Sequence, residues 1–192
     1  MAVLLGSVLA LPKAAEGASV IKQPGLHPFY EFEIEPHMLI AWDNSRWHGS
    51  SFGLGARADV PIIQQGPIET INNGMAIGFG LDWAFGGCDN WNAADPNYYD
   101  CSYNAIYLPV VLQWNFYMTD IITVFGEPGF VIRHAWASWD YNLPSGTGSG
   151  SDSTTDAVAN FTFGAKFMFG RRSGLTVRMG YPFLTIGGSF LF

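Results

Sequence analysis

Apolar and polar residues alternate with a period of two along most of this chain, and that period predicts β-strands. The first segment shows it clearly, because Phe32, Ile34 and Met38 share one side whereas Glu33 and Glu35 share the other. The same alternation recurs in seven further segments. The predicted strands cover residues 30–42, 51–62, 77–86, 106–116, 122–133, 160–169, 175–179 and 184–192.

The two sides of these strands differ in a way that predicts which of them faces inward. One side is large and aromatic, while the other consists mostly of glycine, small polar residues and a few charges of both signs. An eight-stranded barrel has an interior that side chains only just fill, so eight rows of bulky residues do not fit inside. We therefore expect the apolar side to face lipid. The predicted fold is a closed, antiparallel, up-and-down transmembrane β-barrel of eight strands, and closure is required because an open edge in lipid leaves backbone groups unpaired.

Aromatic residues and connections agree with this arrangement. Aromatic side chains fall at the strand ends and predict two girdles, as transmembrane barrels show. One girdle comprises Trp42, Trp83, Phe85, Trp136 and Tyr181, and the other comprises Tyr30, Trp114, Phe116, Phe169 and Phe192. Short turns are predicted near residues 118–120 and 170–173, and longer loops at 43–49, 88–101 and 138–154. The Gly/Ser run inside the last loop predicts flexibility.

Composition excludes several other classes of protein. The chain of 192 residues is 48% hydrophobic and only 13% charged, against roughly 25% charged in a typical soluble domain. No segment has the ~18 consecutive apolar residues of a transmembrane helix. The net charge of -7 and the absence of a basic cluster argue against a nucleic-acid partner. No metal-spaced His cluster or phosphate-binding loop occurs, so we expect no cofactor and no metal.

The N-terminal stretch and the cysteines indicate export. Residues 2–12 form a short apolar run that matches the core of a secretory signal, although its positive flank is missing. We assign residues 1–25 to a truncated signal peptide and tail, and residues 26–192 to the barrel domain. An exported chain passes through an oxidising compartment, which predicts a disulfide between Cys88 and Cys101.

The C-terminal strand carries a recognisable pattern. A polar residue at Thr185 and a glycine at Gly187 precede Phe190 and the terminal Phe192. The pattern resembles the signal by which bacterial outer-membrane β-barrels are recognised for assembly. With strand number and parity, it makes the chain from about Phe29 to Phe192 similar to the small eight-stranded barrels of the OmpA/OmpX type. This resemblance implies location in the bacterial outer membrane, contact with its lipids and with the barrel-assembly machinery, and a monomer. We expect no periplasmic domain, because the chain ends with the barrel.

Charged residues on the inward side of the strands form the candidate site. Charges sealed from lipid must pair with one another, since an unpaired buried charge is very costly. The predicted lumen network consists of Glu31, Glu33, Glu35, Arg57, Asp59, Asp82, Glu127, Arg133, Lys166 and Arg178. We expect at least one of the first three glutamates to pair with Arg57. Three acids at that spacing also suit a cation, but a salt-bridged plug is the favoured interpretation.

The predicted function is a structural or surface-interaction barrel with a charge-plugged lumen, whose loops meet an extracellular ligand. One alternative is a narrow pore for ions or small solutes. Another is an outer-leaflet enzyme acting on lipid A, for which His134, Ser138 and Asp140 are candidates. A base and its nucleophile must lie within hydrogen-bond reach, and four residues along a strand separate them by about 13 Å. We therefore assign no catalytic residue.

Overall fold

The computed structural model describes residues 18–43, 49–88, 98–143 and 145–192. Eight antiparallel strands form a closed barrel in which each strand pairs with its neighbours in chain order and β1 pairs with β8. The predicted fold is confirmed. The strands are β1 (Glu33–Asp43), β2 (Gly49–Ile63), β3 (Asn73–Gly87), β4 (Tyr98–Tyr117), β5 (Ile122–Leu143), β6 (Gly146–Met168), β7 (Ser173–Tyr181) and β8 (Phe183–Leu191).

The apolar and polar residues that alternate along the sequence lie on opposite surfaces of the barrel wall. Large apolar side chains point outward, among them Leu54, Trp83 and Phe161, which are 61%, 52% and 65% exposed. Polar and small residues point into the lumen and are buried, as Gln113 and Ala84 are. No helix among the described residues is long and apolar enough to cross a membrane. The outward surface is therefore the apolar one, as the sequence predicted.

The barrel has two unlike ends, which we call the terminal end and the loop end. The terminal end carries the start of β1, the end of β8 and three connections, of which those between β4 and β5 and between β6 and β7 are short. At the loop end β5 and β6 extend for 22 and 23 residues, whereas β7 and β8 have nine each. The predicted loop at 138–154 is therefore wrong, because both halves of it continue as paired strands as far as Leu143 and Gly146.

A segment ahead of β1 lies across the terminal end. The N–H of Val20 donates to the carbonyl of Met118 at 3.1 Å, and the N–H of Asn72 donates to the carbonyl of Ile21 at 2.7 Å. The Asn72 side chain donates to the carbonyl of Leu26 at 2.8 Å. Residues 18–26 are thus tied to two turns of the barrel. The apolar run at 2–12 lies outside the described residues, so the signal peptide stays a prediction.

The two cysteines join β3 to β4 at the loop end. Cys88 and Cys101 form a disulfide with their Cα atoms 5.4 Å apart, within the usual range for such bonds. The predicted disulfide is present. The N–H of Cys88 also donates to the carbonyl of Cys101 at 3.3 Å, so the bond continues the strand pairing past the end of β3.

Candidate functional site in the barrel lumen

The lumen is filled by two layers of side chains, one above the other. A polar layer occupies the half nearer the terminal end and contains Glu33, Glu35, Arg57, Asp59, Gln113, Glu127, Thr162, Lys166 and Arg178, all buried. An apolar layer occupies the half nearer the loop end and contains Leu39, Ala41, Ala84, Tyr103, Ala105, Tyr107, Val131, Ala135, Ala137 and Phe183. Seven of the nine residues of the polar layer belong to the predicted lumen network, Gln113 and Thr162 do not, and no apolar layer was predicted.

Glu127 on β5 is the centre of the polar layer. Its Oε2 accepts hydrogen bonds from Arg57 Nη1 at 3.0 Å and from Thr162 Oγ1 at 2.7 Å. Its Oε1 accepts from Gln113 Nε2 at 2.8 Å. Arg178 Nε lies 2.8 Å from Oε2 as well. These four partners come from four different strands, so the carboxylate fastens opposite walls of the barrel to one another.

Two further ion pairs bridge the seam where β1 closes the ring. Arg178 holds both oxygens of Glu35, with Nη1–Oε1 and Nη2–Oε2 distances of 2.5 and 3.0 Å. Lys166 Nζ donates to Glu33 Oε2 and, at 3.1 Å, to Gln113 Oε1. A bidentate arginine–carboxylate pair adds geometric specificity to its energy. The polar layer therefore connects β1 to β6 and β7 near the point of ring closure, in addition to connecting β2 to β5 across the barrel.

Phe125 belongs to this site although it was not among the residues predicted from the sequence. Its ring centroid lies 5.1 Å from the guanidinium carbon of Arg178 and 5.4 Å from Lys166 Nζ. An aromatic ring at that distance attracts a cation and shields it from water. Phe125 shares its parity with Glu127 on β5, and that parity alone indicates an inward side chain.

Two pairs lie outside the polar layer. Arg133 Nε donates to Asp156 Oδ1 at 2.9 Å, and the two residues face each other directly across β5 and β6. His37 Nε2 lies 2.8 Å from Asp82 Oδ1, and both side chains are fully buried. Neither Asp156 nor His37 was assigned to the predicted network, although each lies on the inward parity of its strand.

Three details of the sequence-based site require correction. Glu31 is exposed and precedes β1, because its backbone bonds to the carbonyl of Phe192 at the rim and leaves its side chain outside the lumen. Arg57 contacts Glu127 rather than one of the early glutamates. Tyr30 is not on an outer girdle: it lines an interior cavity beside Lys166, and burial raises the pKa of its phenol above the usual value.

The apolar layer fills the other half of the lumen. Tyr107 and Phe183 meet edge to face, with ring centroids 5.0 Å apart, and both are almost completely buried. Leu39 and Val131 pack in the same cluster. A layer of uncharged, mostly hydrocarbon side chains resists the passage of ions, because an ion there would lose its hydration without gaining a partner. The lumen thus contains two layers of different chemistry, one ion-paired and one apolar.

The catalytic candidates are not brought together. The ring of His134 bonds through Nδ1 to Thr155 Oγ1 at 2.7 Å, and its centroid lies 5.6 Å from that of Trp136. Ser138 Oγ bonds instead to Ser102 Oγ at 2.8 Å. His134 and Ser138 therefore each bond to another residue and do not form the predicted base–nucleophile pair.

Comparison with known proteins identifies the architecture. No protein-family model and no curated protein sequence matches the chain. The structure of Ail, the attachment invasion locus protein of Yersinia pestis, is similar with a TM-score of 0.50 and 12% identity, over 87% of this chain and 100% of that one. Neisserial surface protein A is similar with a TM-score of 0.53 and 12% identity, over 84% of this chain and 97% of that one. The fold is that of the small eight-stranded outer-membrane β-barrels.

Proposed function

We propose that this chain is a non-enzymatic barrel of the bacterial outer membrane, with a structural or surface-interaction role and a lumen closed to solutes. The observation that carries the proposal is the inside-out distribution of side chains. Bulky apolar residues cover the outer wall, while charged and amide side chains lie sealed within it. In water that outer surface would be a large exposed apolar patch. In a bilayer it matches the hydrocarbon, and closure of the ring satisfies the backbone.

Closure of the lumen follows from its two layers. The polar layer is cross-linked by ion pairs from β1, β2, β5, β6 and β7, and the apolar layer lies directly beyond it. Opening a path through the first layer means separating buried charges, which costs several kcal/mol per uncompensated ion. A pore would require both layers to move. We therefore favour a surface role over conduction.

The loop end is the surface on which an extracellular ligand would bind. The long β5–β6 hairpin rises there beside a cleft of about 330 Å³ that is lined by Trp139, Asp140 and several serines. Hydroxyl, carboxylate and indole groups together offer hydrogen bonds and a flat apolar surface to a polar ligand. The similar protein Ail is named the attachment invasion locus protein. For this chain, the support for a surface role is the cleft.

Two measurements test the proposal. In cells, the folded chain is expected in the outer-membrane fraction with heat-modifiable mobility on gels, and a detergent-free soluble monomer would refute the barrel's location. In planar bilayers, the purified protein is expected to show little steady conductance. Large, stable, ion-selective currents would replace the surface role with the pore. A lipid A mass spectrum unchanged by the protein is expected, and a modified lipid A would establish an enzyme instead.

A further inference from the structure

Three carboxylates meet inside the polar layer close to the terminal end. Glu33 on β1 and Asp59 on β2 are direct register partners across the antiparallel pair, and both are fully buried. Glu35 lies two residues further along β1, and one oxygen from each of the three groups lies within 4.8 Å of the others. Like charges placed directly opposite each other destabilise a strand pair. This cluster therefore needs compensation from its surroundings.

The protein itself supplies only part of that compensation. Arg178 takes both oxygens of Glu35, and Lys166 takes Oε2 of Glu33. Glu33 Oε1 and both oxygens of Asp59 are buried and accept no hydrogen bond within the described residues. Buried polar atoms in native proteins almost always have a partner. Three carboxylate oxygens without a donor, side by side, indicate a ligand that bears positive charge.

The charge balance of the lumen points the same way. With the Arg133–Asp156 and His37–Asp82 pairs set aside, four buried carboxylates face three buried basic side chains in the described part of the chain, an excess of one negative charge. The carboxylates are Glu33, Glu35, Asp59 and Glu127, and the basic groups are Arg57, Lys166 and Arg178. Uncompensated charge of that size is not tolerated in a low-dielectric interior. A bound cation would supply the missing positive charge.

A small cavity next to the cluster has room for the water that such an ion retains. It has a volume of about 30 Å³ and is lined by Glu33, Lys166, Asn115, Tyr30 and His27 among others, and roughly 10–15 Å³ suffices for one water. The side-chain oxygen of Asn115 is buried there without a partner. The cavity shares His27 and Tyr30 with a larger cleft beneath the N-terminal segment, which provides a route from outside.

We propose that Asp59 and Glu33 bind one hard divalent cation inside the barrel, with water in the adjoining cavity completing its coordination. The free ligand atoms are all oxygens, which suit Mg²⁺ or Ca²⁺ and not the softer transition metals. Mg²⁺ is bound in proteins through one or two carboxylates while it keeps several waters. Glu35, already held by Arg178, contributes its negative field rather than a ligand atom. The ion thus stabilises the seam between β1 and β2 near the terminal end.

The test uses the full chain refolded in detergent without lipopolysaccharide, after treatment with a chelator. MgCl₂ is the probe, and NaCl at equal ionic strength controls for screening. We expect one tightly held Mg²⁺ per chain by elemental analysis after dialysis. The unfolding midpoint should rise by roughly 5 °C or more when Mg²⁺ exceeds its dissociation constant a hundredfold. Asp59→Asn should abolish both effects.

Asp82→Asn is the matched control, because it removes an equally buried lumen carboxylate that lies outside the cluster and beside His37. This variant should still bind the ion. If wild-type protein at pH 8 holds no metal and shows no Mg²⁺-dependent shift, the excess charge is neutralised by protons and the proposal is wrong. Equal loss of Mg²⁺ binding in Asp59→Asn and Asp82→Asn would show a general effect of lumen charge and would also refute the proposed site. Because wild-type metal content alone decides the matter, misfolding of Asp59→Asn leaves the test intact, and Glu33→Gln provides a second variant.

Discussion

At the scale of single residues, Arg178 on β7 carries the heaviest electrostatic role in the lumen. It is buried and contacts two carboxylates, Glu35 on β1 and Glu127 on β5. Among the described residues, Arg178 is the only basic side chain that forms ion pairs with both β1, where the ring closes, and β5 on the opposite wall. Its loss would leave two buried acids short of their principal partner.

The first prediction concerns that loss. Replacing Arg178 with alanine should destabilise the folded barrel by about 3–5 kcal/mol, the typical cost of removing one partner from a buried ion pair. Urea unfolding in detergent, followed by tryptophan fluorescence, measures it. Arg172→Ala is the control, because Arg172 is exposed in the β6–β7 turn, and such surface changes stay within roughly 0.5 kcal/mol. Equal effects of the two variants would contradict the network.

The sequence reveals which charged residues point inward but not which of them pair. Parity along β2 indicates that Arg57 and Asp59 face inward, and both side chains are buried. Arg57 is the register partner of Glu35 on the adjacent strand, yet its guanidinium contacts Glu127 across the barrel. That choice depends on how the ring closes and on strand stagger, which a period of two does not encode. The inward placement of Glu31 is wrong for a related reason, because parity does not show where β1 begins.

At the scale of elements, β8 combines ring closure with the terminal aromatic pattern. Phe192 stacks on Phe32 with centroids 4.8 Å apart, and its backbone bonds to residues 31 and 32. Those contacts are local and fasten the last residue to the start of β1. The role of Thr185, Gly187, Phe190 and Phe192 as an assembly signal stays a prediction.

The second prediction separates recognition from local contact. Deleting Phe192 should lower the amount of folded protein in the outer membrane at least tenfold, because the assembly machinery would lose its terminal aromatic. Phe32→Ala removes the same ring contact but keeps the terminus, and should have a much smaller effect. Quantitative blotting of heat-modifiable protein in membrane fractions compares the two. Similar losses in both would attribute the defect to the missing contact rather than to recognition.

The β5–β6 hairpin shows where composition led to a wrong prediction. Gly148 and Gly150 belong to a Gly/Ser run that predicted a flexible loop, yet both lie within β6. A side chain at these positions would collide with Tyr141 and Trp139, because a Cβ atom added to each glycine would lie 2.5 and 2.7 Å from their ring atoms. The glycines therefore make room for aromatic rings on the paired strand. That cross-strand complementarity appears only when the register is known.

At the scale of the whole molecule, two chemically different layers occupy one lumen. The ion-paired layer lies nearer the terminal end, and the apolar layer around Tyr107 and Phe183 lies nearer the loop end. Charge alone was predicted to obstruct the barrel. The apolar layer was not predicted, because its small alanines and its tyrosines do not stand out from the lumen-facing residues of an ordinary strand.

The third prediction follows from the presence of two layers in the lumen. Phe183→Ala should cost roughly 3–5 kcal/mol of stability, the usual range for a buried phenylalanine, without raising the steady conductance in planar bilayers. The polar layer still closes the path. Phe161→Ala on the outer wall, where the side chain is 65% exposed, is the control for stability. A lasting current through Phe183→Ala would show that the apolar layer is the actual barrier and that the ion pairs are not a seal.

The unequal strand lengths also limit how deeply the barrel is immersed. β7 first pairs with β6 at Tyr181 and Phe161, so among the described residues the upper part of β6, residues 146–160, pairs only with β5. Its other edge presents backbone N–H and C=O groups that need water, because hydrocarbon offers them no partner. The acyl chains on that side must therefore end at about the level of Tyr181. The shortest strands, rather than the longest, therefore set the position of the membrane–water interface on the barrel.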